Sequence, residues 1–511
     1  MISRRQGLAT LGLGLMSSTL VGMSNGHART LRNVPAPWDW YDAYLERARA
    51  DWRAPGLAIA IVQDGVTTYA KGFGLANVER GTSVNADTLF GIGSTSKAFT
   101  AAGIAMLVDQ GKLDWDSPVR RYLPGFQLGQ GDDYASVSLR DMMSHRTGLA
   151  RHDLLWYNNK SLTRADLMAR LPHLDTYAPL RASYQYNNLM VMLAGHALEK
   201  VAGVSWEEFT KTAILSPLGM TRSGVSLEAM ARDGNFANGH RLRDNLSPFS
   251  IDLRPEDPIG PAGGVNTSAN ELAKWVALQL GRGTHNGVRL YSPAQSNAMW
   301  EPIVMAGGVP ASPELTRGYY GLGWRIDTYR GMTRVAHGGN LNGFASRVTL
   351  FPEKKLGIAA ITNLGASPLP GHATLDIVDR LLGLEPANWS ARNLARRDTV
   401  ASSAAAKIQP IPATRPSRDL IEFTGRFRHD GYGDLHVMLS DRGLRASYND
   451  MPMALAHWHY DVFNITADRG EDSDLNNIKI VFQSDETGKV SGLTAKLEDS
   501  TPPTLFKRVV S

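Results

Sequence analysis

The strand signals constrain this chain most. Residues 56–74, GLAIAIVQDGVTTYAKGFG, run as two β segments on either side of Asp64-Gly65, the pattern of a two-residue hairpin. The next comparable signals arrive only near residue 320, as YGLGWRID, TRVAHGG, FASRVTLFP and KLGIAAITN. An early hairpin and three or four late strands predict one antiparallel sheet assembled from both ends of a domain. What lies between must leave that sheet and return to it. Its clearest segments read as helices: 98–110, stopped by Gly111; 189–202, apolar nearly all round and therefore buried; and 269–280. WDWYDAYLERARADW supplies another near the start. The expected fold is α/β in the α+β sense: an antiparallel sheet flanked by helices, with a helical subdomain.

At 511 residues the chain is too long for one simple core. Residues 29–385 read as the main domain. Residues 386–417, rich in Ala, Ser, Pro and Arg, lose hydrophobic periodicity and read as a linker. Residues 418–511 hold about eight short alternating runs, from IEFTGRF to TLFKRV, which predict a small antiparallel barrel or sandwich. The first 28 residues place Arg4 and Arg5 before a short apolar run that ends in GHA. They read as an export signal of twin-arginine or general secretory type, cleaved after Ala28, rather than a buried helix. Its removal takes away two arginines and no acid, so the net charge falls from +5 to +3. The expected location is the periplasm or outside the cell, with no stable membrane span after cleavage.

Composition removes several kinds of chemistry. With no cysteine there is no thiol nucleophile, disulfide or thiolate metal site. No basic tract suggests nucleic acid as a partner. No cofactor is implied.

Three short patterns can carry chemistry. In GIGSTSKAFTAAGIAMLVDQG, Ser94 and Lys97 stand three residues apart at the head of an apolar helix, where they share a face. A serine hydroxyl needs a base before it attacks, and an uncharged lysine amine can serve. Burial and the positive end of a helix both disfavour a second positive charge there. The plain alternative is a helix cap followed by a surface lysine. Composition predicts roughly one Ser-x-x-Lys by chance; STSK is the only one in the chain. In SYQYNNLMVMLAGH, Tyr186 and Asn188 precede a buried helix, suited to a proton relay and to holding a substrate amide. WYNNK offers a second Tyr-x-Asn at Tyr157 and Asn159, but in a polar loop. In RVAHGGNLNGFASRVTLFP, His337-Gly338-Gly339 ends a β run, where glycines let a substrate backbone approach the strand edge. Taken singly this is an ordinary turn, as is His285-Asn286-Gly287.

Together and in this order, the three patterns resemble those of the penicillin-recognising serine hydrolases of class C β-lactamase type. That group includes DD-peptidases, D-aminopeptidases and family VIII esterases. VSLRDMMSHRTGL, ILSPLGMTRSG, PAGGVNTSANELAKW and YGLGW are similar to the family's sequences too, so the likeness spans residues 40 to 385. The resemblance implies Ser94 as the acylated nucleophile, Lys97 as its base partner and Tyr186 as a second proton shuttle. It implies Asn188 as a substrate-amide ligand, His337, Gly338 and Gly339 as the third motif, and the N–H groups of Ser94 and Asn340 as the oxyanion hole. True class C β-lactamases usually have lysine where this chain has His337, which argues against antibiotic hydrolysis. Asn187 stands where serine is common. The tail resembles, by strand pattern, the lipocalin-like barrels of some peptidases in the group, which implies a homo-oligomer formed through the barrel.

The resulting expectation is an exported serine hydrolase that cleaves amide bonds of small peptides, including D-residue or modified ones. The alternatives are a family VIII carboxylesterase, a β-lactamase and a non-hydrolytic penicillin- or peptide-binding sensor. The absence of Gly-x-Ser-x-Gly around Ser94 argues against an α/β-hydrolase. His457 and His459 lack a nearby third ligand for a metal. His145 and His152 read as local hydrogen-bonding residues.

Overall fold

The computed structural model describes residues 38–129, 134–254, 257–308, 310, 312–402, 409–468 and 470–510. The expected export signal lies outside them. No described helix is long and apolar enough to cross a membrane.

One nine-stranded antiparallel sheet organises the main domain, and both ends of the domain build it. Its spatial order runs 304–305, 319–320, 325–329, 332–341, 344–351, 356–362, 56–63, 66–77 and 82–83. Gly56–Gln63 is central, with Leu57 opposite Thr362 on one side and Phe73 on the other. Its run of apolar residues follows from burial on both faces. Ala58, Ala60 and Val62 join the core shared with the helices Lys97–Asp109, Asn188–Ala202 and Ala269–Leu280. Leu57, Ile59 and Ile61 pack on the other side, against Trp38–Asp51 and Leu369–Leu381. The hairpin turns at Asp64 and Gly65, whose φ values of 49° and 80° match a right-twisted two-residue loop.

Small residues let the Lys97–Asp109 helix lie buried. Ala98, Ala101, Ala102 and Ala105 are fully covered, and a Cβ on Gly103 would come within 2.8 Å of Leu198. The Asn188–Ala202 helix starts at Asn187, whose side chain accepts from the Met190 N–H at 2.9 Å, and stops at Gly203 in the left-handed region. Asparagine at 187 thus does the capping that a serine would do.

The segment read as a linker differs from expectation. Trp389–Ser402 is a helix, and its start packs on the main domain. Asp376, on the Leu369–Leu381 helix, accepts from the N–H groups of Trp389 and Ser390 at 2.5 and 3.0 Å, and Trp389 donates its indole N–H to the Tyr329 hydroxyl at 2.8 Å. The cap comes from a different helix, so no local signal marks this start.

Eight strands between Gly425 and Arg508 close into an antiparallel barrel, with Phe427 of the first opposite Arg508 of the last. Phe427, Phe463, Phe482 and Phe506 are buried within its packing. The barrel docks through Asn449, whose amide donates to the carbonyls of Leu154 and Tyr157 at 3.0 and 3.2 Å. Asn158 and Asn159 donate back to the same residue at 2.7 and 3.0 Å. A buried ion pair, Arg254 with Asp472 at 2.5 Å, joins the two domains nearby. The polar loop around Tyr157 is therefore the barrel's seat.

Candidate active site

Ser94 lies in a single 3-10 turn, Gly93–Ser96, that runs directly into the Lys97–Asp109 helix. A 3-10 turn eclipses residues three apart, and Lys97 Nζ lies 2.9 Å from Ser94 Oγ. Lys97 is fully buried. Its Nζ also donates to Asn188 Oδ1 at 2.7 Å and to the Ala262 carbonyl at 2.8 Å. These carbonyl oxygens can only accept. They engage two of the three directions an amine nitrogen has beyond its own carbon, and the third faces Ser94. Thr100 holds the carbonyl-bearing segment by donating to Pro261 O at 2.6 Å.

The Tyr186 hydroxyl donates to Ser94 Oγ at 2.6 Å. Burial pushes its phenol up, so Tyr186 carries its proton at neutral pH. Its ring packs on His145, centroids 4.4 Å apart, and Tyr184 and Tyr320 pack on the same imidazole. His145 Nδ1 accepts from the Asn187 N–H at 3.2 Å, which fixes the entry to the buried helix.

Asn188 also donates to Asp153 Oδ1 at 3.0 Å, and Asp153 pairs with Arg151, whose guanidinium lies 5.2 Å from the Tyr186 ring centre. A connected path thus runs from Ser94 through Lys97, Asn188 and Asp153 to Arg151. Asp153, Arg151, Tyr184 and Tyr320 also stand at the site and belong to none of the three sequence patterns. Tyr184 stands two residues before Tyr186 in SYQY, a nearness that gave a usable hint. Asp153 and Arg151 meet Asn188 only through the fold.

Strand Met332–Leu341 forms the opposite wall. Its first half pairs with Arg325–Tyr329 as far as Ala336, while Gly338 to Leu341 pair on one side only and leave an edge along the cleft. Gly339 packs backbone to backbone on Ile92: a Cβ there would fall 1.8 Å from the Ile92 carbonyl. Gly93, at φ 51°, packs on Asn340, whose carbonyl oxygen a Cβ there would meet at 2.5 Å. Ser346 ties the two segments by donating to Ile92 O at 2.7 Å. This contact places Asn340 beside the turn that carries Ser94.

His337 does not touch Ser94. Its Nδ1 is 2.6 Å from the Gly338 carbonyl and its Nε2 is 2.7 Å from the Tyr320 hydroxyl. Burial holds its imidazole well below the usual histidine range, and the Arg325 guanidinium acts in the same direction. It is therefore neutral, with Nδ1 donating and Nε2 accepting. A cleft of about 680 Å³ is lined by Ser94, Tyr186, Asn188, His337 and Gly338 to Asn340. A second chamber of about 680 Å³ shares Arg151, Asp153, Trp156 and Asn340 with it and reaches Gly470 and Asp472 of the barrel.

The rejected alternatives lie elsewhere. Tyr157 has its carbonyl bonded to Asn449, and His285 sits in a short hairpin with Val288. His457 and His459 flank a bulge, His457 Nε2 bonding the Tyr460 carbonyl. Among the described residues no group of side chains has the makings of a metal site.

Comparison with known proteins agrees with this fold. The Beta-lactamase family model matches residues 41–381, and a domain of unknown function, DUF3471, matches residues 409–507. An unguisins hydrolase of Aspergillus campestris is 30% identical over 410 residues, covering 76% of this chain and 75% of its own. The octameric penicillin-binding protein homologue from Pyrococcus abyssi superposes with a TM-score of 0.61 at 23% identity, over 92% of this chain and 100% of that one. SurE with D-Leu gives 0.53 at 21% identity, over 92% and 99%. The fold is that of a β-lactamase-like serine hydrolase with an added barrel. The chain belongs to the Beta-lactamase family.

Proposed function

We propose that this protein hydrolyses amide bonds of small peptides through an acyl-enzyme on Ser94. The contact of Ser94 Oγ with both Lys97 Nζ and the Tyr186 hydroxyl carries this reading. The uncharged Lys97 amine takes the Ser94 proton as Oγ attacks the substrate carbonyl carbon. The N–H groups of Ser94 and Asn340 stabilise the resulting oxyanion. The C–N bond then breaks, and the leaving nitrogen takes a proton through Tyr186, which is reprotonated from Lys97. Water attacks the ester carbonyl by the reverse proton path, releasing the acid and regenerating Ser94. Asn188 holds Lys97 in register and, with its amide group at the cleft, meets the substrate. His337 stays neutral and orders the wall through Tyr320.

Peptide amides are favoured over antibiotics because a neutral His337 replaces a lysine. Likeness to an unguisins hydrolase supports a hydrolytic role over a sensing one. D-residue and modified peptides belong in the substrate class because of the family resemblance. Export through residues 1–28 is part of the same proposal; the N-terminal sequence of secreted protein tests it directly.

A carboxylesterase is the second reading, since the same acyl-enzyme accepts an ester. The test is a panel of D- and L-aminoacyl anilides, p-nitrophenyl esters and nitrocefin, with fluorophosphonate labelling in parallel. Anilide turnover lost in Ser94→Ala supports the amidase. Ester turnover alone supports the esterase, and labelling without any turnover supports a sensor.

A further inference from the structure

No described barrel residue lines the cleft around Ser94, yet the barrel grips a loop that serves it. His152 stands beside Asp153, whose carboxylate accepts from Asn188. Read from the sequence as a local hydrogen-bonding residue, His152 instead bonds partners 23 and 280 residues away. Its Nε2 lies 2.8 Å from the Asp175 carbonyl, and its Nδ1 lies 2.8 Å from the Tyr432 hydroxyl. Its backbone N–H donates to Glu498 Oε2 at 3.1 Å. Tyr432 and Glu498 both belong to the barrel: one precedes strand Gly433–Ser440, and the other follows strand Val490–Ala495.

A carbonyl can only accept, so Nε2 carries the imidazole proton and the Tyr432 hydroxyl donates to Nδ1. Burial pushes this imidazole below the usual histidine value, so it is neutral and its tautomer is fixed from both sides. Glu498 is set in turn: its other oxygen accepts from the Ser500 N–H and hydroxyl at 3.2 and 2.6 Å. His152 itself is in the left-handed region, at φ 49°. A residue with a Cβ adopts that conformation at a cost and keeps it where the surrounding contacts dictate it. Two of the three contacts here are the barrel's.

The turn at His152 aims Asp153. Asp153 Oδ1 accepts from Asn188 Nδ2 at 3.0 Å and from the Trp156 indole at 3.1 Å. Asn188 Oδ1 in turn holds Lys97 Nζ. Beyond Asp153 the same loop is held again, by Asn449 on the carbonyls of Leu154 and Tyr157. Asp153 is therefore flanked on both sides by points that the barrel fixes.

We propose that the barrel is a positioning part of the catalytic apparatus: Tyr432 and Glu498 fix His152, the turn at His152 fixes Asp153, and Asp153 holds the Asn188 amide that aims the Lys97 amine at Ser94. Tyr432, Glu498 and His152 are positioning residues, acting through Asp153. This role needs only one copy of the chain. The inference deepens the hydrolase reading and rests on Lys97 serving Ser94.

Tyr432→Phe removes one hydroxyl and keeps the buried ring. Glu498→Ala removes the carboxylate, and Glu498→Gln keeps an acceptor for the His152 N–H. Fluorophosphonate labelling of Ser94 and ester turnover are measured on each, with thermal unfolding as the check of folding. Tyr432→Phe and Glu498→Ala are expected to slow labelling and lower kcat by about 10-fold, as a displaced catalytic group does, with KM near the parent value. Glu498→Gln should recover most of the rate. Phe463→Leu, which thins the barrel interior beside Phe423 and Phe482, should lower the melting temperature and leave labelling near the parent rate. Asp153→Asn completes a double-mutant cycle: it should slow labelling itself, and adding Tyr432→Phe to it should cost little more. Parent rates in folded Tyr432→Phe and Glu498→Ala overturn the proposal, as does a loss confined to KM. Losses that multiply in the cycle, or equal slowing by Phe463→Leu, overturn it too. Hydrogen exchange without substrate separates the two ideas. Faster exchange in Tyr432→Phe is expected at residues 152–159 and 188–190, and unchanged exchange there defeats the positioning role. The faster exchange in a protein whose parent Ser94 resists acylation defeats the hydrolase reading alone.

Discussion

Asn188 and Lys97 are bound to each other across the helix interface, Oδ1 to Nζ at 2.7 Å, at the head of two buried helices. With the Ala262 carbonyl at 2.8 Å, this contact turns the amine towards Ser94. The arrangement suits an amine with a lone pair to offer, because both carbonyls can only take protons. Lys97→Arg is therefore expected to abolish acylation, since a guanidinium keeps its proton. Fluorophosphonate labelling rates check this, and near-normal labelling would remove Lys97 from the proton path.

Asn188→Leu, which keeps the bulk and removes the carbonyl, is expected to slow acylation by about 10-fold or more. The loss should appear in kcat, because the substitution releases Lys97 from its position. A change confined to KM would mean that Asn188 serves the substrate alone.

Tyr186→Phe removes only the hydroxyl that reaches Ser94. A loss of about 10²-fold in kcat is expected for a missing proton relay. Tyr157→Phe, in the barrel's seat, is the matched control and should leave kcat near the parent value. The reverse pattern in the two progress curves would reassign the relay.

Gly339→Ala would place a methyl group 1.8 Å from the Ile92 carbonyl. Strand and nucleophile turn must then part, and the labelling rate should collapse while the barrel still folds. A variant labelled as fast as its parent would show that this contact does not set the site.

His145 and His337 are both buried, and burial holds both well below the ordinary histidine value of 6.5. Folded, they stay neutral; unfolded, each takes up a proton as the pH falls through about 6.5. Their contribution to stability is full above that pH and is lost progressively as pH falls, by about 1.4 kcal/mol per pH unit for each group. Urea unfolding between pH 5 and pH 8 checks this. His337→Gln should show a shallower fall, and an unchanged slope would locate the dependence elsewhere.

Much of this was legible in the sequence because the informative patterns are local. The 269–280 helix was read to the residue, and the Asp64-Gly65 turn was legible because a two-residue hairpin needs left-handed backbone at both positions. Ser94 and Lys97 were visible because one helical turn joins them. Asp153, Arg151 and Tyr320 were not, since the first two come from one loop and Tyr320 from a strand far along the chain, and no spacing to Ser94 or Asn188 encodes that meeting. The Trp389–Ser402 helix was hidden for a related reason: its cap is Asp376, borrowed from the preceding helix. Tyr157-Asn158-Asn159 copied the right residue types in a place where they bind the barrel.

The central claim is that Ser94 becomes acylated, and intact mass spectrometry of protein treated with a fluorophosphonate tests it most directly. One adduct, mapped to the peptide containing Ser94 and absent from Ser94→Ala, is the predicted result. An adduct of equal extent in Ser94→Ala would contradict the account.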